Sequence, residues 1–78
     1  MILREKSNYY HDTRNCTNGQ TAFTLTRAPS REDSVTMFAI NGTELLYGTD
    51  FIVSGKTVTY IGSVPFQNGD KVIFKYFR

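Results

Sequence analysis

The sequence predicts an all-β chain folded as a small antiparallel β-sandwich or barrel, with about six to seven strands. From residue 20 onward the apolar residues recur with a period of two rather than 3.6. Turn signals built from Gly, Asn, Asp, Ser and Pro return roughly every 8–12 residues. No window accumulates helix-forming residues.

The elements follow in order. Phe23 and Leu25 alternate with Ala22, Thr24 and Thr26, which predicts a half-buried strand over residues 20–27. Ala28-Pro29 ends it, because proline has no N–H for the ladder and biases the preceding residue away from helix. Ser30-Arg31-Glu32-Asp33 has the spacing of a capping box, long enough for one helical or 3₁₀ turn. Val35 to Ile40 is apolar on both faces and reads as a central, covered strand. Asn41-Gly42 supplies positive φ at adjacent positions and predicts a tight hairpin into a strand from Thr43 to Tyr47. Gly48-Thr49-Asp50 turns the chain into Phe51-Ile52-Val53, and Ser54-Gly55-Lys56 turns it again into residues 57–61. A looser connection through Gly62, Pro65 and Asn68-Gly69-Asp70 leads to a strand over Lys71–Phe77. There Val72, Phe74 and Tyr76 share one face, while Ile73 and Phe77 flank Lys75 on the other. That second face is too apolar for plain solvent and implies a neighbour.

Residues 1–19 have no sustained period and read as an extended N-terminal arm ahead of a domain over 20–78. Such an arm is either a disordered leader or a docking segment that orders against a partner. In the second case Ile2, Leu3, Arg4, Tyr9 and Tyr10 are its anchors, with Ile73 and Phe77 as further candidate partner-binding residues.

Size points the same way. A chain of 78 residues buries only roughly 60–65% of its unfolded surface, so it needs a staple or a partner. Cys16 is the one cysteine, which excludes an internal disulfide, and a single Cys with a single His (His11) does not make a closed zinc site. Oligomerisation or docking on a larger body is left. The net charge of +2 is spread thinly along the chain and argues against nucleic acid as a partner. No apolar run approaches the roughly 18 residues of a membrane span, and the start lacks the pattern of a signal peptide. The sequons at Asn15 and Asn41 read as coincidence.

Few residues invite chemistry. His11-Asp12 reads as a solvated loop pair, since neighbours on an extended segment point apart. Cys16 reads as a reduced structural thiol; His11 is near in sequence, but no group orients it as a base. Asp50 and Asp70 each follow a glycine, directly or after one residue, and precede a strand, which suits a carboxylate that clamps turn N–H groups. Calcium would need six to eight oxygens, and no Asp-x-Asp-x-Asp run occurs. The turn set is therefore Asn41, Gly42, Gly48, Asp50, Gly55, Gly69 and Asp70. The five Tyr and six Phe fall on strand positions that a small core buries, in preference to a stacking platform for bases. No catalytic residue, metal site or cofactor is expected.

With these motifs placed, residues 20–78 resemble a recurring immunoglobulin-like module of tailed-bacteriophage virion proteins, of the capsid-decoration (cement) or tail-fibre type. The resemblance is carried by Phe23-x-Leu25, a Pro-containing loop ending in Asp33-Ser34-Val35, and an apolar strand into Asn41-Gly42. Leu45, Gly48-Thr49-Asp50-Phe51, Val53 and Gly55 follow, then Thr57-Val58-Thr59-Tyr60, Pro65, and Gly69-Asp70 before Val72 to Phe77. The family implies a structural role without catalysis. As a free-standing small domain with an arm, the chain is expected to be a decoration protein. It would bind the major capsid protein on the outer capsid surface, as a dimer or trimer, after synthesis in the bacterial cytoplasm. A tail, neck or fibre-adaptor part, or a carbohydrate-binding host-adhesion module, is the alternative expectation.

Overall fold

The computed structural model describes residues 9–39 and 42–78. These residues form β1 (Tyr9–Asn15), β2 (Ala22–Thr24), β3 (Thr36–Phe38), β4 (Glu44–Leu45), β5 (Phe51–Ser54), β6 (Thr57–Tyr60) and β7 (Lys71–Phe77). One sheet has the order β1-β7-β3-β4 and the other β2-β6-β5, with every ladder antiparallel. The chain is a small two-sheet antiparallel sandwich. It crosses between sheets from β1 to β2, β2 to β3, β4 to β5, and β6 to β7.

The period of two becomes the core directly. Met37, Val72, Phe74 and Tyr76 face inward from the four-stranded sheet, and Phe23, Phe51, Val53 and Val58 face them from the other. Phe23 and Phe74 meet across the gap with ring centres 5.5 Å apart. Phe66, in the β6–β7 loop, closes one end against Phe23 and Tyr60, the latter with ring centres 4.4 Å apart. β3 lies inside its sheet, between β7 and the short edge strand β4, but is covered only on the Met37 side. Thr36 and Phe38 are half-buried on the outward face, which corrects the expectation of a strand covered on both sides.

Two further local expectations change. Residues 9–15, read as part of an arm, form β1 and pair with β7 over seven positions, from Tyr9↔Phe77 to Asn15↔Lys71. Their inward side is Tyr10, Asp12 and Arg14, so a strand is present without an apolar alternation to announce it. The capping box does not form. The 3₁₀ turn occupies Glu32–Ser34, its preceding residue Arg31 makes no side-chain cap, and the Ser30 amide and hydroxyl donate to the Phe77 carbonyl at 2.9 and 3.3 Å. Glu32 instead accepts the Gly55 N–H at 2.8 Å, pinning the turn to the β5–β6 hairpin. In the β3–β4 connection the Ala39 N–H donates to the Thr43 carbonyl at 2.8 Å, and Gly42 has φ +83°, where glycine avoids the Cβ clash. Asn41 lies outside the described residues.

The side of the sandwich where β1 and β2 lie is closed by polar groups. Asp12, only 7% exposed, accepts the Thr26 N–H and the Thr26 hydroxyl, both at 2.9 Å, and the Tyr76 hydroxyl at 2.5 Å. Tyr76 in turn accepts the Arg27 N–H at 3.2 Å. Arg14 reaches from β1 to the Thr24 carbonyl, 3.0 Å from Nη2, and to the Thr26 hydroxyl. These bonds tie the end of β2 to the other sheet. They also correct the reading of His11-Asp12 as a solvated pair: adjacent strand residues point to opposite faces, so His11 is exposed and Asp12 is buried.

Burial alone would push the Asp12 carboxyl up. The Tyr76 hydroxyl, the Thr26 amide and hydroxyl and the Arg14 charge outweigh it and hold the group below its ordinary value of 3.8. A depressed pKa in the folded state contributes stability above the unfolded value, lost as pH falls through the folded one. Asp12→Asn, which leaves at least one buried donor unmatched, is expected to cost about 2–3 kcal/mol at neutral pH, roughly 10 °C or more in Tm for a domain this small. Urea midpoints measured from pH 7 down to about pH 2 check the linkage. The wild-type midpoint should fall below about pH 4, and the variant should lose part of that slope.

Candidate docking surface

The β1–β7 ladder and the two-residue alternation decide which side chains face outward on the four-stranded sheet. The register places Tyr9 beside Phe77, His11 beside Lys75 and Thr36, Thr13 beside Ile73 and Phe38, and Asn15 beside Lys71. Glu44 stands beyond Phe38 on the edge strand. The first and last strands thus bring Tyr9, Ile73 and Phe77 onto one face, which is where three of the predicted partner-binding residues converge. Phe77 is 55% exposed, Tyr9 38%, and Ile73 half-buried.

The rings on this face form a cluster. Tyr9 and Phe77 have centres 4.6 Å apart, and the His11 imidazole meets Tyr9 edge-on at 4.9 Å. The Lys75 ammonium lies 5.1 Å from the centre of the Phe38 ring, a cation–π contact that steadies the long side chain over the sheet. Among the described residues Lys71 and Lys75 are in no ion pair; the one ion pair there joins Arg31 to Asp33.

Tyr10 is not part of the face. It points inward, packs against the core with its ring 5.8 Å from Tyr76, and carries the Arg27 guanidinium at 5.7 Å. Ile2, Leu3 and Arg4 lie outside the described residues. Lys71, Lys75, Phe38 and His11 belong to the face and are absent from the sequence-derived set. The alternation of β7 already placed Lys75 between Ile73 and Phe77; Phe38 and His11 required the strand order.

The groups that could have carried chemistry are engaged structurally. Asp50 accepts the Leu46 N–H at 2.8 Å and Asp70 the Gln67 N–H at 2.9 Å, each clamping the turn before its strand. Gly42, Gly48, Gly55 and Gly69 all have positive φ, in keeping with their turn assignments. The Cys16 thiol is buried among core side chains, and its backbone bonds to Asp70 and Gly69 continue the β1–β7 ladder. Five residues along an extended chain separate it from His11 by about 16 Å, and the alternation puts the two on opposite sides. No group of three or more His, Cys, Asp or Glu side chains converges among the described residues.

Two other surfaces differ in character. The outward face of the β2-β6-β5 sheet carries Ala22, Thr24, Ile52, Ser54, Thr57 and Thr59, with no charge at all. At the hairpin end, a groove of about 250 Å³ runs between Leu45 on one sheet and Tyr60, Val64 and Phe66 on the other. Asp70 is the one carboxylate lining it, and Asp70 already holds the Gln67 N–H.

Burial, and secondarily the Asp70 charge, push the Cys16 thiol up from its usual 9.0. A thiol-specific chromogenic reagent at pH 8 is therefore expected to label the native chain orders of magnitude more slowly than the denatured chain. Equal rates would show that Cys16 is exposed.

No protein-family model matches this chain, and no curated protein or solved structure matches it at a significant level.

Proposed function

We propose that the chain is a non-enzymatic virion structural protein of a tailed bacteriophage, a decoration (cement) protein on the capsid surface. In this reading it docks on the major capsid protein through the outward face of β1 and β7 and stabilises contacts between neighbouring capsid subunits. The observation that carries the docking role is the gathering of Tyr9, Ile73 and Phe77 beside Lys71 and Lys75 on one sheet face. Apolar and aromatic side chains surrounded by a polar, solvent-accessible rim are the usual make-up of an interface. The virion setting is supported by the order of motifs from Phe23 to Phe77 and by the small sandwich that they specify. Small size supports it too, since a marginal domain gains stability by binding. Oligomers of the chain, each weakly bound, would hold a lattice by avidity.

β1 supplies Asp12 to the interior, so deleting residues 1–19 would damage the fold together with any docking contact. A point substitution reads the surface more cleanly. In co-sedimentation with expanded empty capsids of the cognate major capsid protein, wild type is expected to pellet with the particles. Phe77→Asp should weaken binding by about 2 kcal/mol, roughly thirtyfold. Ile52→Asp, on the outward face of the other sheet, should bind as wild type. A wild-type chain left in the supernatant contradicts the capsid assignment. A larger loss for Ile52→Asp than for Phe77→Asp contradicts the assignment of the face.

A further inference from the structure

We infer that the outward face of β1 and β7 takes a protein surface that is acidic at its rim and apolar at its centre. The inference rests on the docking reading above but not on the virion setting.

The β1–β7 part of this face carries lysines and no acid among the described residues. Lys71 and Lys75 point outward from β7, about 13 Å apart, with Ile73 between them and Phe77 beyond. The acids of the described residues are for the most part committed elsewhere. Asp12 points inward to Thr26 and Tyr76, Asp33 pairs with Arg31 at 2.9 Å, and Glu32, Asp50 and Asp70 hold the N–H groups of Gly55, Leu46 and Gln67. Among the described residues Glu44 is the acid that shares the face, and it sits on the far edge strand. A partner that covers Phe77 must therefore come close to two ammonium groups that are in no ion pair among the described residues. Carboxylates at matching positions would be attracted, and further cations repelled.

That rule selects among occupants. A second copy applied by two-fold symmetry would set one basic face against another, with Lys71 and Lys75 opposed by like charge. Single-stranded nucleic acid would use open ring faces at base spacing along a continuous track of cations. Here the rings turn toward one another, with Tyr9 tilted 42° on Phe77 and His11 edge-on to Tyr9, and Lys75 is occupied over Phe38. An acidic protein surface with an apolar residue to set against Phe77 and Ile73 meets both halves of the patch.

The test uses the full chain and two immobilised polymers, poly-glutamate and a random glutamate–tyrosine copolymer, with elution by salt. Wild type should elute from the copolymer at higher salt than from poly-glutamate, and Phe77→Ala should remove that difference while leaving poly-glutamate retention intact. Lys71→Glu and Lys75→Glu should each elute at markedly lower salt than Lys56→Glu, which changes net charge equally but lies in the β5–β6 turn. Lys71 is exposed and has no such ring contact, so its variant keeps the comparison valid even if Lys75→Glu disturbs the contact with Phe38. Equal elution of the three charge variants overturns the inference in favour of general basicity. Retention on immobilised oligothymidylate to higher salt than on the copolymer, with the same dependence on Lys71, overturns it in favour of nucleic acid. Neither polymer contains a virion component, so this outcome and the capsid result can fail separately.

Discussion

The buried carboxylate of Asp12 is the point on which the rest of the sandwich depends. It sits on the first strand, bonds a hydroxyl on the last, and bonds the backbone and side chain of Thr26 where β2 ends. One side chain thereby fixes β1 against β7 and one sheet against the other. Burying a charge is costly unless its hydrogen bonds are complete, and here three donors converge on it, with Arg14 beside them. The arrangement has little tolerance, because removing any donor leaves the carboxylate short and removing the carboxylate strands buried donors.

What the molecule presents to its surroundings follows from that constraint. With β1 locked on β7 in a single register, the alternation sends Asp12 inward and Tyr9 and His11 outward beside Phe77 and Lys75. A slip of one residue would reverse every side chain of β1 and dissolve the ring cluster. The docking face is thus a consequence of an interior bond. The opposite face, made of Ala, Ser, Thr and Ile without charge, has neither the rings nor the cations. The edges are managed as well: β4 is two residues long, and the 3₁₀ turn is held by Glu32 against the hairpin that ends β5.

Much of this was legible in the sequence, and the parts that were not share a physical reason. Lys71–Phe77 is read with its inward and outward sides correct, because Val72, Phe74 and Tyr76 alternate without interruption. Asp50 and Asp70 are read as backbone clamps from position alone, since a carboxylate after a turn glycine has few other partners. β1 is not read, because its inward positions are Tyr, Asp and Arg, and a strand that buries a hydrogen-bonded acid carries no hydrophobic signature. His11-Asp12 is misread for the same reason. The Ser30–Asp33 box fails because Ser30 had a better acceptor in the Phe77 carbonyl, a partner 47 residues away. Of the docking face, Ile73 and Phe77 are visible from alternation, whereas their juxtaposition with Tyr9 is a long-range pairing that no local pattern records.

Hydrogen exchange along β1 tests this account most directly. If Asp12 anchors an integral strand, the β1 amides that face β7 should exchange as slowly as those of β6 in the core, at rates set by global unfolding. Rapid exchange throughout residues 9–15, with β6 still protected, would mean that the first strand is an arm after all. The interior bond, and the docking face that depends on it, would then be wrong.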